Sequence, residues 1–194
     1  MKIDKKLNLV TNITREDGSI VYLHVTPFPY EVVEEHCLLL GNLFTNFISQ
    51  VGGLGAARVA AMMLRKKLKR EQELMDEANQ QAPNIVDEIQ RLTSVVWNDG
   101  GTWKTTSFDA AMKQGIISPD EYREVEGEVV FFMVSSAIQK AHLIAPTVGS
   151  VIGMFGGQLV SLSVTAFRDS LQTSNPPIDT QTPSAQQETS HIPS

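Results

Sequence analysis

Two short segments near the start of the chain are rich in apolar and β-branched residues that partly alternate with polar ones. The segments "LNLVTNI" and "SIVYLHV" flank "TREDG", in which Asp17 and Gly18 form a strong turn signal. The pattern predicts a β-hairpin over residues 7–25. Pro27 and Pro29 end the second strand, because proline cannot donate the backbone hydrogen bonds of a β-ladder.

Apolar residues then recur at steps of three and four, which is the period of an α-helix. In "YEVVEEHCLLLGNLFTNFIS" the recurring residues are Val33, Cys37, Leu40, Phe44 and Phe47. This helix is apolar around much of its circumference, so we expect it at the centre of the fold. A glycine-rich bend at 52–55 separates it from a second helical pattern, "AARVAAMMLRKKLKREQELMDEANQ", which ends before Pro83.

Three further helices follow Pro83. Asn84 is a good N-cap for "IVDEIQRLTSVVW", where an apolar stripe predicts one continuous helix through Ile85, Ile89, Leu92 and Val96. "NDGGTW" is then a loop, and Ser107 caps a short helix "FDAAMKQ" that stops at Gly115.

The clearest helix start is "ISPDEYREVE". Ser118 is the N-cap, Pro119 occupies the first helical position and Glu121 completes a capping box. We expect this helix to run through "VVFFMVSSAIQKAHL" until Pro146 ends or kinks it.

These elements predict an α+β fold that is mostly α, with an N-terminal β-hairpin followed by a small bundle of helices. From Asp169 onward large apolar residues become rare, and Ser, Thr, Pro and Gln dominate. Such a segment buries too little surface to offset its ordering entropy. The predicted organisation is therefore a single domain over 1–171 and a disordered tail over 172–194.

No charged residue occurs from His142 to Phe167, a stretch long enough to span a bilayer. Pro146, four glycines and several Ser and Thr residues interrupt it, and no basic cluster flanks it. The pattern favours a buried or partner-facing segment over a transmembrane helix.

Charge and cysteine content narrow the class of protein. The net charge of −6 disfavours binding to nucleic acid or anionic lipid, and we expect neither nucleic acid nor membrane as a partner. The single cysteine, Cys37, rules out an internal disulfide and suits a reducing compartment. The N-terminus has no apolar run typical of a secretory signal.

Candidate chemistry is sparse. Gly53 and Gly55 fit the first two positions of a dinucleotide fingerprint, but Arg58 occupies the third and a helix precedes them, which favours a simple bend. The basic run at 65–70 is interpreted as a solvated helix face paired with nearby glutamates. The four histidines have no zinc-site spacing, and no nucleophile motif is found. We therefore expect no catalytic residue, metal or cofactor, and a protein that is not an enzyme.

Apolar residues in the second half exceed what a small helical domain needs. They form either the core or a groove for an amphipathic helix of another protein, and both alternatives stay open, with the core favoured. The candidate partner-binding residues on the groove hypothesis are Phe131, Phe132, Val134, Ile138, Val151, Met154, Phe155 and Leu159.

The order and spacing of several segments resemble the tail assembly chaperones of long-tailed (siphophage-type) bacteriophages. The segments are "REDGSIVYLHVTPFPYEVVEEH", "FTNFIS" before the glycine bend, "AARVAAMMLRK", "DEIQRLTSVVW", "GGTWKTTSFDAAMKQGIISPDEYREVEGEVVFFMV" and "SLSVTAFRDSLQTS". The resemblance extends to about Ser174 and includes no catalytic motif.

This resemblance implies a non-enzymatic chaperone in the host cell cytoplasm. Such proteins bind the long, apolar tape measure protein and keep it soluble until tail tube subunits polymerise around it. They are absent from the mature virion. Self-association is a further alternative. Competing hypotheses are a structural tail or head-completion protein retained in the virion, and a small membrane-associated protein.

Overall fold

The computed structural model describes residues 6–49, 61–62, 64–66 and 84–173. In these residues five antiparallel strands form one sheet in the order β4-β3-β2-β1-β5. The strands are β1 (Asn8–Thr14), β2 (Ile20–Val25), β3 (Thr93–Asp99), β4 (Thr102–Ser107) and β5 (Gln158–Val160). The helices are α1 (Tyr30–Glu35), α2 (Cys37–Ser49), α3 (Ile85–Arg91), α4 (Phe108–Lys113), α5 (Pro119–Ile138), α6 (Ala141–Gly153) and α7 (Val164–Thr173). The predicted α+β class is confirmed, but strands occur along the whole chain and are not confined to one hairpin.

The N-terminal hairpin forms as predicted. β1 and β2 pair in register from Leu9 opposite Val25 to Thr14 opposite Ile20. In the turn, the Asp17 carboxylate accepts a hydrogen bond from the Ser19 backbone N–H at 2.8 Å. Gly18 has φ of +80°, a conformation that glycine adopts without steric cost.

The predicted helix over "IVDEIQRLTSVVW" is wrong in its second half. Helix α3 ends at Arg91, and Thr93–Asp99 is strand β3, which pairs with both β2 and β4. Val95 and Val96 lie on opposite faces of the sheet, and both are fully buried. The strand therefore lacks the alternation of apolar and polar residues that would have distinguished it from a helix. The predicted loop "NDGGTW" is correspondingly shorter: only Gly100 and Gly101, both with positive φ, form the hairpin turn, and the flanking residues belong to β3 and β4.

The helix predicted to be central is divided and lies partly at the surface. α1 contains no buried residue, and His36 separates it from α2. Cys37 is exposed and Leu38 is 82% exposed, whereas Leu40 and Leu43 are buried. Within residues 37–45, one side of α2 therefore packs on the core. The glycine bend at 52–55, most of the following helical pattern and the segment 174–194 lie outside the described residues.

The sheet separates two apolar clusters. The inner face carries Leu9, Leu23 and Val95, which pack in the main core against helices such as α5, whose Val129 and Phe132 are fully buried. The outer face forms a smaller cluster that α7 covers. Each fully buried large side chain contributes about 1.5–3 kcal/mol of hydrophobic free energy, so the inner face dominates the stability of the fold.

The predicted helix starts at Ser107 and Ser118 are confirmed. The Ser107 hydroxyl caps α4, and Ser118 and Glu121 form both bonds of the capping box of α5. The ends differ from expectation: α5 stops at Ile138, and Pro146 lies inside the separate helix α6. The helix α7 also extends to Thr173, so the first residues assigned to the tail are helical.

Candidate functional site: an uncharged surface on α6 and β5

Helix α6 is anchored on one side only. The chain becomes extended at Gln139 and Lys140, which ends α5 and redirects the backbone into α6. Val148 and Ile152, four residues apart, are fully buried, and Ile144 packs on the core one turn earlier. The opposite side of α6 is consequently left at the surface.

That outward side carries no Asp, Glu, Lys or Arg, and its large apolar side chains lie at the two ends, with His142, Thr147 and Ser150 also exposed. Leu143 is 42% exposed, and at the other end of the helix Met154 is 73% and Phe155 37% exposed. Five of the eight large hydrophobic side chains that are exposed in the described residues lie between Ile138 and Leu162. We call the surface formed by Leu143, Met154 and Phe155 the α6 surface. Exposed apolar side chains concentrated in this way are typical of protein–protein contact sites.

Two glycines direct the chain from α6 into β5. Gly156 has φ of +90° and follows the last turn of the helix. Gly157 does not have a positive φ, but it is tightly enclosed. A Cβ at this position would lie 2.8 Å from Ile152 Cγ2 and 3.0 Å from Glu128 Oε2. Glycine is therefore required here for close packing of the backbone against α5 and α6.

A buried carboxyl lies directly beneath Gly157. Glu128 on α5 is buried against β1, where its Oε2 accepts a hydrogen bond from the Thr11 hydroxyl at 2.7 Å. Burial raises the pKa of Glu128, and the hydrogen bond from Thr11 acts in the opposite direction. The uncharged surface segment thus rests on a titratable group that the solvent barely reaches.

An open groove of about 480 Å³ runs between α6 and β5. The residues that line it have small or uncharged side chains: Leu7, Ala145, Gly149, Ser150, Gly157, Gln158 and Leu159. The Leu159 side chain closes one side, since its Cδ1 lies 3.4 Å from the position of a Cβ on Gly149. We call this feature the α6–β5 groove. Small side chains in its walls allow close approach by an apolar side chain of a partner.

The predicted partner-binding residues do not share one surface. Phe132 and Val134 are fully buried in the main core, so their direct contact with a partner does not fit this fold. The reason is that the apolar run of α5 faces the sheet and α2 rather than solvent. Half-buried positions are occupied by Phe131, Val151 and Leu159, and exposed ones by Ile138, Met154 and Phe155.

The other candidate sites are dispersed. Arg65, the first residue of the basic run, is not a purely solvated residue, because it pairs with the buried Glu126 at 3.1 Å. Burial raises the pKa of Glu126, and the charge of Arg65 opposes this shift. His24 lies buried in β2 and His142 is exposed on α6. In the described residues no cluster of three or more His, Cys, Asp or Glu side chains is placed to hold a metal ion.

No described helix combines the length and apolar character needed to cross a bilayer. The uncharged stretch is instead divided between α6, β5 and the start of α7. The sequence did not lead us to predict strand β5, or a groove lined by Gly149 and Gly157. The apolar run "QLV" between Gly157 and Ser161 was the one available indication of a short strand.

Comparison of the chain with protein-family models, curated proteins and solved structures gave no match.

Proposed function

We propose that this chain is a non-enzymatic tail assembly chaperone of a long-tailed bacteriophage. It binds the apolar, helical tape measure protein and keeps it soluble until tail tube subunits assemble. It acts in the host cytoplasm and does not remain in the finished particle. The resemblance in segment order supplies the identity of the partner.

The observation that carries the proposal is the α6 surface together with the α6–β5 groove. A chaperone of this kind needs an apolar surface that adapts to a partner of irregular sequence. Met154 is the most exposed apolar residue of this region, and the unbranched methionine side chain repacks readily around varied partners. The absence of charge from 142 to 167 means that an apolar helix can dock there without desolvating an ion.

The net charge of −6 supports the same proposal. Charged residues elsewhere on the chain keep a protein with an exposed apolar surface in solution. A partner that is mostly apolar would gain solubility from the complex because its own surface is covered.

The test is recovery of the partner from cells that produce the neighbouring tail proteins, using a tagged chain. The variant Met154→Asp with Phe155→Ser places a carboxylate on the α6 surface. Leu38→Asp is the matched control, because Leu38 is also highly exposed but lies on α2. Leaving a polar group buried without a partner costs about 1–3 kcal/mol, so the affinity of the double variant should fall about ten- to a hundredfold.

Recovery of a long helical protein with the wild type and the control, but not with the double variant, supports the proposal. Equal recovery with all three chains would show that the α6 surface is not the binding site. Presence of the chain at a fixed copy number in purified particles would instead identify a structural subunit.

A further inference from the structure

Among the described residues, strand β4 has a neighbouring strand on one side only, because it stands at the end of the sheet order. Alternate residues of an antiparallel strand form hydrogen-bonded pairs with the same neighbour. Asp99 and Thr102 flank the two-residue turn and form such a pair. The backbone N–H and C=O groups of Trp103 and Thr105 therefore point away from β3. The Trp103 carbonyl agrees with this direction, since it accepts a hydrogen bond from Gln172 Nε2 at 3.1 Å.

Strand β4 lacks the features that usually keep a sheet edge from pairing. These features are a short strand, a proline, a bulge or a charge on the edge. β4 has six residues and no proline, and it pairs with β3 without a bulge from Ser94 opposite Ser107 to Asp99 opposite Thr102. Its one charged side chain, Lys104, forms an ion pair with Asp99 of the same hairpin. The other edge strand, β5, has only three residues.

Thr105 lies at the centre of this open edge. In the part of the chain that the structure describes, no backbone hydrogen bond reaches its N–H or C=O from the side opposite β3. A donor and an acceptor on the same edge residue are the groups that an added β-strand pairs with. Thr102, Thr105 and Thr106 are also β-branched, which favours the extended conformation. The chemistry of the edge therefore fits an extended strand.

We propose that β4 pairs with β4 of a second copy of this chain, in an antiparallel arrangement centred on Thr105. The Thr105 N–H of each copy donates to the Thr105 carbonyl of the other, which gives two hydrogen bonds at the two-fold axis. The two five-stranded sheets then continue into one sheet of ten strands. Such a pair closes both open edges at once and leaves no edge of β4 for a third copy.

The side chains of β4 make a second copy a suitable partner. Centring on Thr105 places Lys104 opposite Thr106 of the second copy, and Trp103 opposite Ser107 of the second copy. No like charges meet, and each large side chain faces a smaller one. A register centred on Lys104 would instead place two lysines opposite each other, which is destabilising. The strand is thus complementary to itself in one register, as a two-fold dimer requires.

This interface is independent of the proposed chaperone function. β4 and β5 form opposite edges of the sheet, so pairing through β4 leaves the α6 surface and the α6–β5 groove open. Substitutions in β4 that prevent pairing should not change recovery of the apolar partner. Failure of either proposal therefore leaves the other unaffected.

The first experiment is sedimentation velocity of the full chain between about 10 µM and 1 mM, because one strand pair is a small interface and gives a weak dimer. Thr105→Pro removes the outward N–H and leaves the bonds to β3 in place, and proline is tolerated on the open side of an edge strand. The dissociation constant should rise about tenfold or more, since two hydrogen bonds are lost. Thr105→Ala keeps the N–H and is the matched control, which should dimerise like the wild type.

Disulfide trapping tests the register. In a Cys37→Ser background, Thr105→Cys places two thiols across the two-fold axis, with Cα atoms about 5.5 Å apart and within the range of a disulfide. Lys104→Cys in the same background is the matched control, because its two Cα atoms would be diagonal neighbours about 7–8 Å apart. Oxidation should give a covalent dimer with Thr105→Cys and little with Lys104→Cys.

Dimerisation of the wild type and Thr105→Ala that is lost in folded Thr105→Pro, together with trapping at Thr105 alone, supports the proposal. The proposal is overturned if the wild type stays monomeric at about 1 mM. It is also overturned if folded Thr105→Pro dimerises as tightly as the wild type, or if the two cysteine variants are trapped equally. Should Thr105→Pro fail to fold, the two cysteine variants decide the question.

Discussion

Replacement of Gly157 by alanine tests the close packing that positions β5 beside α6. The added Cβ would lie 2.8 Å from Ile152 Cγ2 and 3.0 Å from Glu128 Oε2. Ile152 is fully buried and β-branched, so its methyl group cannot rotate away freely. The Glu128 carboxylate can move only by disturbing its bond to Thr11. Overpacking of this kind costs about 1–3 kcal/mol.

The assay is chemical and thermal unfolding of the variant beside Gly153→Ala. Gly153 ends α6 and has no heavy atom within 4 Å of an added Cβ, so alanine there should leave stability unchanged or raise it by up to about 1 kcal/mol. For Gly157→Ala the predicted fall in melting temperature is about 2–12 °C for a chain of this size.

A double-mutant cycle tests whether Ile152 is the side chain that the added Cβ meets. Ile152→Ala removes the Cγ2 atom that the new Cβ would meet, so Gly157→Ala should cost about 1 kcal/mol less in that background. If Gly157→Ala proves as stable as Gly153→Ala in the wild-type background, the close approach of this loop to α5 and α6 does not exist.

Three further predictions concern single side chains. Burial raises the pKa of Glu128 above its ordinary 4.5. The free energy of unfolding should therefore fall as the pH rises from 4.5 towards the pKa of Glu128 in the folded protein, because ionising the buried carboxyl is unfavourable. Glu128→Gln should reduce this fall, measured by urea unfolding between about pH 4 and 8. Phe132→Ala should destabilise by about 3–5 kcal/mol in the same assay, because the side chain is fully buried. Ser118→Ala should cost about 1 kcal/mol by thermal unfolding, because it removes the N-cap of α5.

Each of these predictions has a contradicting result. An unchanged pH profile for Glu128→Gln would mean that the carboxyl is solvated in the folded state. A loss of less than about 1 kcal/mol for Phe132→Ala would place this ring outside the core. A neutral effect of Ser118→Ala would mean that the capping bonds contribute nothing measurable.

Local chemistry explains which elements could be predicted. The Asp17-Gly18 turn and the caps at Ser107 and Ser118 depend on hydrogen bonds within a few residues, and the sequence contains everything that forms them. The hairpin and the starts of α4 and α5 were accordingly predicted correctly.

Long-range pairing explains the errors. Strand β3 is buried on both faces, so it has no alternation, and it continues the helical stripe of α3. Strand β5 has only three residues and exists because it pairs with Asn8–Val10 of β1, some 150 positions earlier. Neither pairing could be read from local sequence. Whether Phe132 and Val134 belong to the core or to a groove was left open for the same reason, since the face of α5 that meets the sheet was not known, and the structure buries both.

The most direct test of the account is the solubility of a long helical tail protein produced together with this chain. We predict that the partner remains in the soluble fraction with the wild-type chain and with Leu38→Asp. It should precipitate when the chain is omitted or when it carries Met154→Asp with Phe155→Ser. Equal solubility in all four cultures would contradict the claim that the α6 surface binds and protects an apolar partner.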